Sequence, residues 1–191
     1  MEHLHLHMVI VGCTPPGRFT EQHDVFFGIA KDMKSLIPEM KAFWPEAKGR
    51  IHVDAWRKVT NVDGHAITIV PAQGITESSA EKDYKLFFLN LGGYQPGEFE
   101  EYHYKMLVAA PDTATAIRAS RKTAFYKHYG FKGATAHVDD KYGIDVDDIH
   151  LLKDILHPRY KEQYALSVSD AKEEGLAEDV LNIGYYRLDK L

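Results

Sequence analysis

Cysteine is nearly absent from this 191-residue chain: one residue, Cys13, stands alone. A lone cysteine excludes an internal disulfide and a paired-cysteine metal site. There is no excess of positive charge. The formal net charge is −5, and no basic stripe interleaved with aromatics appears, so the clustered cations that phosphate contacts require are missing. No nucleic-acid partner is expected. No run approaches the ~20 apolar residues of a membrane span. The opening Met1-Glu2-His3-Leu4-His5-Leu6-His7 lacks the basic head and long apolar core of a secretion signal. A cytoplasmic protein with no membrane partner is therefore the expectation.

What the chain does have is a repeated phrase. Pro16-Gly17-Arg18-Phe19-Thr20-Glu21-Gln22-His23 returns as Pro96-Gly97-Glu98-Phe99-Glu100-Glu101-Tyr102-His103, a pattern P-G-x-F-x-E-x-H shifted by 80 residues (97 − 17 = 80). A second tripeptide is also shared, His52-Val53-Asp54 and His137-Val138-Asp139, by then shifted by 85 (137 − 52 = 85). The two copies are read as 1–75 and 84–191, the second with a C-terminal extension, joined by a linker at 76–83 that overlaps the polar stretch Pro71–Lys82.

Around the repeated loop, apolar runs of strand length end at turn residues. Leu6–Cys13 and Asp24–Ala30 read as strands, and Tyr84–Leu91 and Tyr104–Ala110 as their copies. Asp32 reads as a helix N-cap followed by Met33, Leu36, Ile37, Met40 and Phe43 at helical spacing. Pro38 implies a kink or a later start. Ile51–Thr60, a turn at Asn61–Gly64 and His65–Val70 read as a strand pair. In the second copy Asp147–Leu156 reads as a short helix, Tyr164–Val168 and Ile183–Leu188 as strands, and Glu173–Leu181 as a polar helix. The expected fold is α+β: two tandem β-loop-β-α-β-β repeats related by a pseudo-twofold, mostly antiparallel, with one main helix each.

The loop and the H-V-D strand together resemble the bacterial domain of unknown function 1543, which occurs as one or two copies per chain. The second copy carries that family's Gly-Gly-x-x-Pro-Gly loop as Gly92-Gly93-Tyr94-Gln95-Pro96-Gly97, whereas Cys13 breaks the double glycine in the first. The resemblance implies the fold unit and the same choice of residues. It implies no activity.

Glu21 and His23 lie two apart entering a strand and so share a face, as do His52 and Asp54. If the strands are neighbours, each copy gathers Glu, His, His and Asp: Glu21, His23, His52 and Asp54 in the first, Glu101, His103, His137 and Asp139 in the second. Three uses are open. Two imidazoles and two carboxylates suit a divalent metal such as Zn, Mn or Fe, and an open position on it would support metal-dependent hydrolysis. A His–carboxylate pair could act without metal on a small molecule as general base. Alternatively the cluster is a polar network that fastens the loop, in a protein whose partners are other proteins or copies of itself.

Phe19 and Phe99 are expected to plug the loop into the core, and Gly17 and Gly97 to follow Pro16 and Pro96 in type II turns. Cys13 reads as a buried structural thiol. His3, His5 and His7 share one strand face. Three imidazoles there could hold a metal, but Asp83, Lys85 and Phe87 of the second copy cannot repeat such a site, and the face is read as the exposed one of an edge strand. Neither loop is a phosphate-binding P-loop.

Overall fold

A computed structural model of the chain describes residues 3–73, 84–94, 97–123, 144–170 and 177–191, and of 144–145 the backbone. Every strand pair among them is antiparallel, and the helices are short, so the α+β expectation holds. None of the described helices is long and apolar enough to cross a membrane. Two compact units are formed, one from Met1–Ile75 with Leu156–Leu191 and one from Thr76–Ile155. The C-terminal segment thus completes the first unit, and its assignment to the second repeat is corrected.

In the first unit β1 (His5–Cys13) is a central strand, flanked by β2 (Gln22–Ala30) and β3 (His52–Val59), with β10 (Asn182–Arg187) on the outer edge of β3. Alternation along β1 sends Val9, Val11 and Cys13 into the core, where they meet Phe26, Leu36, Met40 and Val53. His7 continues that face and is fully buried. Burial lowers its pKa to about 4, so the expected exposed edge is instead the middle of the sheet. Burial also raises the Cys13 thiol, which fits a structural residue.

The helix α1 (Ile37–Phe43) begins late because Pro38 sits in its first turn, where a missing N–H costs nothing. A 3-10 turn at Lys34–Leu36 precedes it. Asp32 still caps this turn, accepting from the Ser35 N–H at 2.9 Å and the Ser35 hydroxyl at 2.7 Å. β3 does not turn back on β5 (His65–Pro71). A two-residue strand β4 (Asn61–Val62) pairs with β5, and β5 pairs with β9 (Tyr164–Asp170) in a separate sheet. Asp63 and Gly64 both have positive φ, the signature of a two-residue type I′ turn.

Two contacts tie in the C-terminal segment. The Asp179 carboxylate accepts from Thr60 N, Thr60 Oγ1 and Asn61 N at 2.9, 2.7 and 3.2 Å. Tyr160, on helix α4 (Pro158–Gln163), donates its hydroxyl to Glu39 of α1, and burial with this bond pushes the phenol up to about 12.

The second unit repeats the strand order: β6 (Lys85–Tyr94) lies between β7 (Glu101–Ala110) and β8 (Ile144–Leu151). Phe87, Leu89 and Leu91 of β6 pack with Val108 of β7 and with Ala116 of helix α2 (Thr113–Ser120). Asp112 caps α2 by accepting from Thr115 N at 2.7 Å, the counterpart of Asp32. The segment read as a helix from Asp147 is strand as far as Leu151, and one helical turn, α3 (Leu152–Ile155), follows. Of the polar helix read at 173–181, residues 177–181 are not helical and the remainder lies outside the described residues.

Candidate metal centre

A row of three residues crosses the first sheet. Gly12 of β1 is directly opposite His23 of β2 on one side and His52 of β3 on the other. Directly opposed residues of an antiparallel pair point to one face, here the face away from the Val11 and Cys13 core. Glycine in the middle leaves the His52 imidazole and the Asp54 carboxylate room to lean inward. A Cβ built on Gly12 would lie 2.4 Å from His52 Nε2 and 2.6 Å from Asp54 Oδ2, so any other side chain at the floor of the site would displace both donors.

Asp54 enters through an irregularity. Ile10 pairs with Ala55 and Val11 with Val53, which leaves Asp54 as the extra residue of a β-bulge. Bulges re-aim a side chain at the cost of a ladder bond. Glu21 precedes β2 by one residue and lies on the His23 side. The outcome is a convergent cluster. His52 Nε2 is 3.1 Å from Glu21 Oε1 and 3.2 Å from Asp54 Oδ1, while His23 Nε2 is 3.3 Å from Asp54 Oδ2 and 3.6 Å from Glu21 Oε2. His52 is 7% exposed. Its Nε2 and Asp54 Oδ2 are buried without a hydrogen bond of acceptable geometry. The four residues that the sequence singled out in the first copy are brought together.

The second copy is built likewise but filled differently. Gly92 is opposite His103, and a Cβ on it would lie 2.5 Å from Asp147 Oδ2. Asn90 pairs with Asp148 and Leu91 with Val146, so Asp147 is the extra residue of the same bulge. Asp147 therefore holds the place of Asp54, and Asp145, opposite Gly92, holds the backbone place of His52. The sequence reading put His137 and Asp139 there; both lie outside the described residues. The signal it missed was Asp145-Val146-Asp147, which shares the x-V-D pattern but not the histidine. His103 Nδ1 is 3.1 Å from Asp147 Oδ2, and His103 Nε2 is 3.9 Å from Glu101 Oε2. Asn90 also donates to Asp148 at 3.3 Å. Glu101 accepts a hydrogen bond from Tyr94 and, after burial, contributes to raising that phenol's pKa. Among the described residues, the metal-compatible group of the first site is Glu21, His23 and His52, with Asp54 beside both imidazoles, and that of the second is Glu101, His103 and Asp147.

The loops leading to Glu21 and Glu101 carry one confirmed and one corrected expectation. Arg18 N donates to Pro15 O at 3.1 Å and Gly17 has φ 82°, a type II turn; Gly97 has the same φ. Pro16 occupies the preceding turn position, whereas Pro96 lies outside the described residues. Phe19 and Phe99, expected in the core, are fully exposed. The turn projects the next residues outward, and the core beneath is already filled by the strand side chains.

Residues 18–69 match a family model described as Domain of Unknown Function (DUF1543). No curated protein matches the chain. Among solved structures, the crystal structure of a protein Il1583 from Idiomarina loihiensis is similar over 97% of this chain and 98% of that one, with a TM-score of 0.63 and 20% identity. At that identity the likeness is one of fold. Residues 18–69, the span similar to the DUF1543 family, hold Glu21, His23, His52 and Asp54.

Proposed function

We propose that the first site binds a divalent transition metal through His23 and His52 Nε2 and the carboxylates of Glu21 and Asp54. The observation that carries this is the spacing of the donors. Ligands about 2.1 Å from a shared metal stand about 3.0 Å apart in octahedral geometry and about 3.4 Å in tetrahedral geometry. The nitrogen–oxygen distances here are 3.1, 3.2, 3.3 and 3.6 Å, each carboxylate turning one oxygen to each imidazole. Glu21, His23 and His52 can each offer one donor atom within 4.8 Å of the others, with Asp54 beside them. Groups that bonded one another would instead align N–H with oxygen, and His52 Nε2 aligns with neither neighbour. Side chains aimed at a common centre leave that misalignment. Two imidazoles with two carboxylates suit Zn, Mn or Fe(II), and an open position on such a centre would take a small oxygen ligand or the water used in hydrolysis.

The test is elemental analysis of tag-free protein with titration by Zn, Mn and Fe(II), alongside His52→Ala and His103→Ala. The expected result is one high-affinity metal per chain, lost in His52→Ala and kept in His103→Ala. Absence of any metal affinity tighter than that of His52→Ala would show the cluster to be an architectural network.

A further inference from the structure

We infer that Tyr185, from the C-terminal strand, is a positioning residue of the first site, holding the His52 ring against the Gly12 floor. This rests on the metal reading above. The Tyr185 and His52 rings lie 4.4 Å apart between centroids, tilted by 32°. The contact spans the outer side of the site, since β10 runs along the edge of β3 opposite to β1.

The local backbone is bent to make this contact. Ile183 pairs with Ala55 and Tyr186 with Val53, which inserts one extra residue into β10. Gly184, inside the bulge, has φ 149°, a conformation that other residues rarely adopt. The two consecutive tyrosines then separate. Tyr186 packs against the core cluster, whereas Tyr185 stays 69% exposed and meets His52. An aromatic ring so little buried gives the core almost nothing. What it does is cover one face of an imidazole whose ring plane must be fixed for Nε2 to reach a metal. Hydrogen-bonded support around a metal-binding histidine is typically worth about 10–100-fold in affinity, and a ring contact that fixes the imidazole plane is expected at the lower end of that range.

The second site has no such cover among the described residues, because β8 is an edge strand there. The C-terminal segment therefore distinguishes the two sites, adding to the first a residue 131 positions beyond Asp54 (185 − 54 = 131).

The probe is Co²⁺, titrated into the full chain and into Tyr185→Phe, Tyr185→Leu and Tyr185→Ala, with the visible d–d spectrum and the metal-free melting temperature as readouts. Expected are wild-type affinity and spectrum in Tyr185→Phe, and roughly tenfold weaker binding with an altered d–d band in the Leu and Ala variants, at nearly unchanged metal-free melting. Leucine keeps a folded apolar strand should alanine not. Wild-type affinity and spectrum in Tyr185→Leu would overturn the role of Tyr185 and leave the metal reading standing. Failure of the wild-type chain to bind Co²⁺ would overturn both.

Discussion

Replacing Gly12 by alanine tests the centre of the site with one methyl group. The backbone at Gly12 is in no left-handed conformation, so alanine brings no strain there. At such positions Gly→Ala usually stabilises by about 0.4–1 kcal/mol through the unfolded chain. The methyl carbon would start 2.4 Å from His52 Nε2 and 2.6 Å from Asp54 Oδ2. Ordinary contact begins about 1 Å further out, and both neighbours are tips of side chains, so they withdraw and the fold survives. A metal tolerates bond lengths only within about 0.2 Å; a displacement several times larger removes two ligands together. The expected outcome is a metal-free melting temperature within a few degrees of wild type and a loss of affinity on the order of 100-fold, about 3 kcal/mol. Isothermal titration with Zn²⁺ and differential scanning calorimetry read the two quantities. Gly92→Ala, which meets Asp147 instead, leaves affinity at the first site unchanged. Undiminished Zn²⁺ binding by Gly12→Ala, with binding abolished in His52→Ala, would refute the idea that both donors sit over Gly12.

Acidification should weaken the fold through His7. Its pKa is about 4 in the folded chain against 6.5 unfolded, so the unfolded state binds the extra proton. The stability is fully present above pH 6.5 and is lost as pH falls towards 4, by up to roughly 3 kcal/mol; urea titrations from pH 7.5 to 4.5 should show a slope that His7→Leu reduces. Phe19→Ser and Phe99→Ser should each change stability by no more than about 0.5 kcal/mol, as for other surface positions; a loss near the ~3–5 kcal/mol of a core phenylalanine would restore the buried-plug expectation. Asp179→Ala strands the Thr60 and Asn61 donors and should cost about 2–4 kcal/mol in chemical denaturation, whereas an effect below about 0.5 kcal/mol would show the C-terminal tie to be dispensable.

Local pattern made the first site legible. Residues two apart on a strand share a face, which singled out the Glu21/His23 and His52/Asp54 pairs on strands that flank β1, although Glu21 lies just before β2 and Asp54 reaches the site as the extra residue of a bulge. Pro16-Gly17 told the turn type, and Asp32 and Asp112 told where the helical segments begin. The misreadings have nonlocal causes. His7 looks like a surface residue until β1 is known to have a strand on each side. The β3 run looks like half of a hairpin with β5, yet its partners are β1 and β10, chosen by pairings far apart in sequence. In the second copy, matching letters favoured His137-Val138-Asp139, which lies outside the described residues. Strand register selects Asp145-Val146-Asp147, because the bulge and the glycine opposite are what define the position. Tyr185 carries no motif at all; only the return of the chain brings it to His52.

That return has a consequence for how the protein is made. The first unit is interrupted: its opening 75 residues wait for Leu156–Leu191, while Thr76–Ile155 is contiguous. Synthesis from the N-terminus therefore releases a self-contained second unit before the first can finish. Until residues 177–187 are made, β3 keeps an unpaired edge and Thr60 lacks Asp179, a partner 119 residues away. Such distant pairing slows folding and leaves a strand edge open to other chains. The strand that waits longest for its neighbour is thus β3, one of the earliest made, rather than a late one.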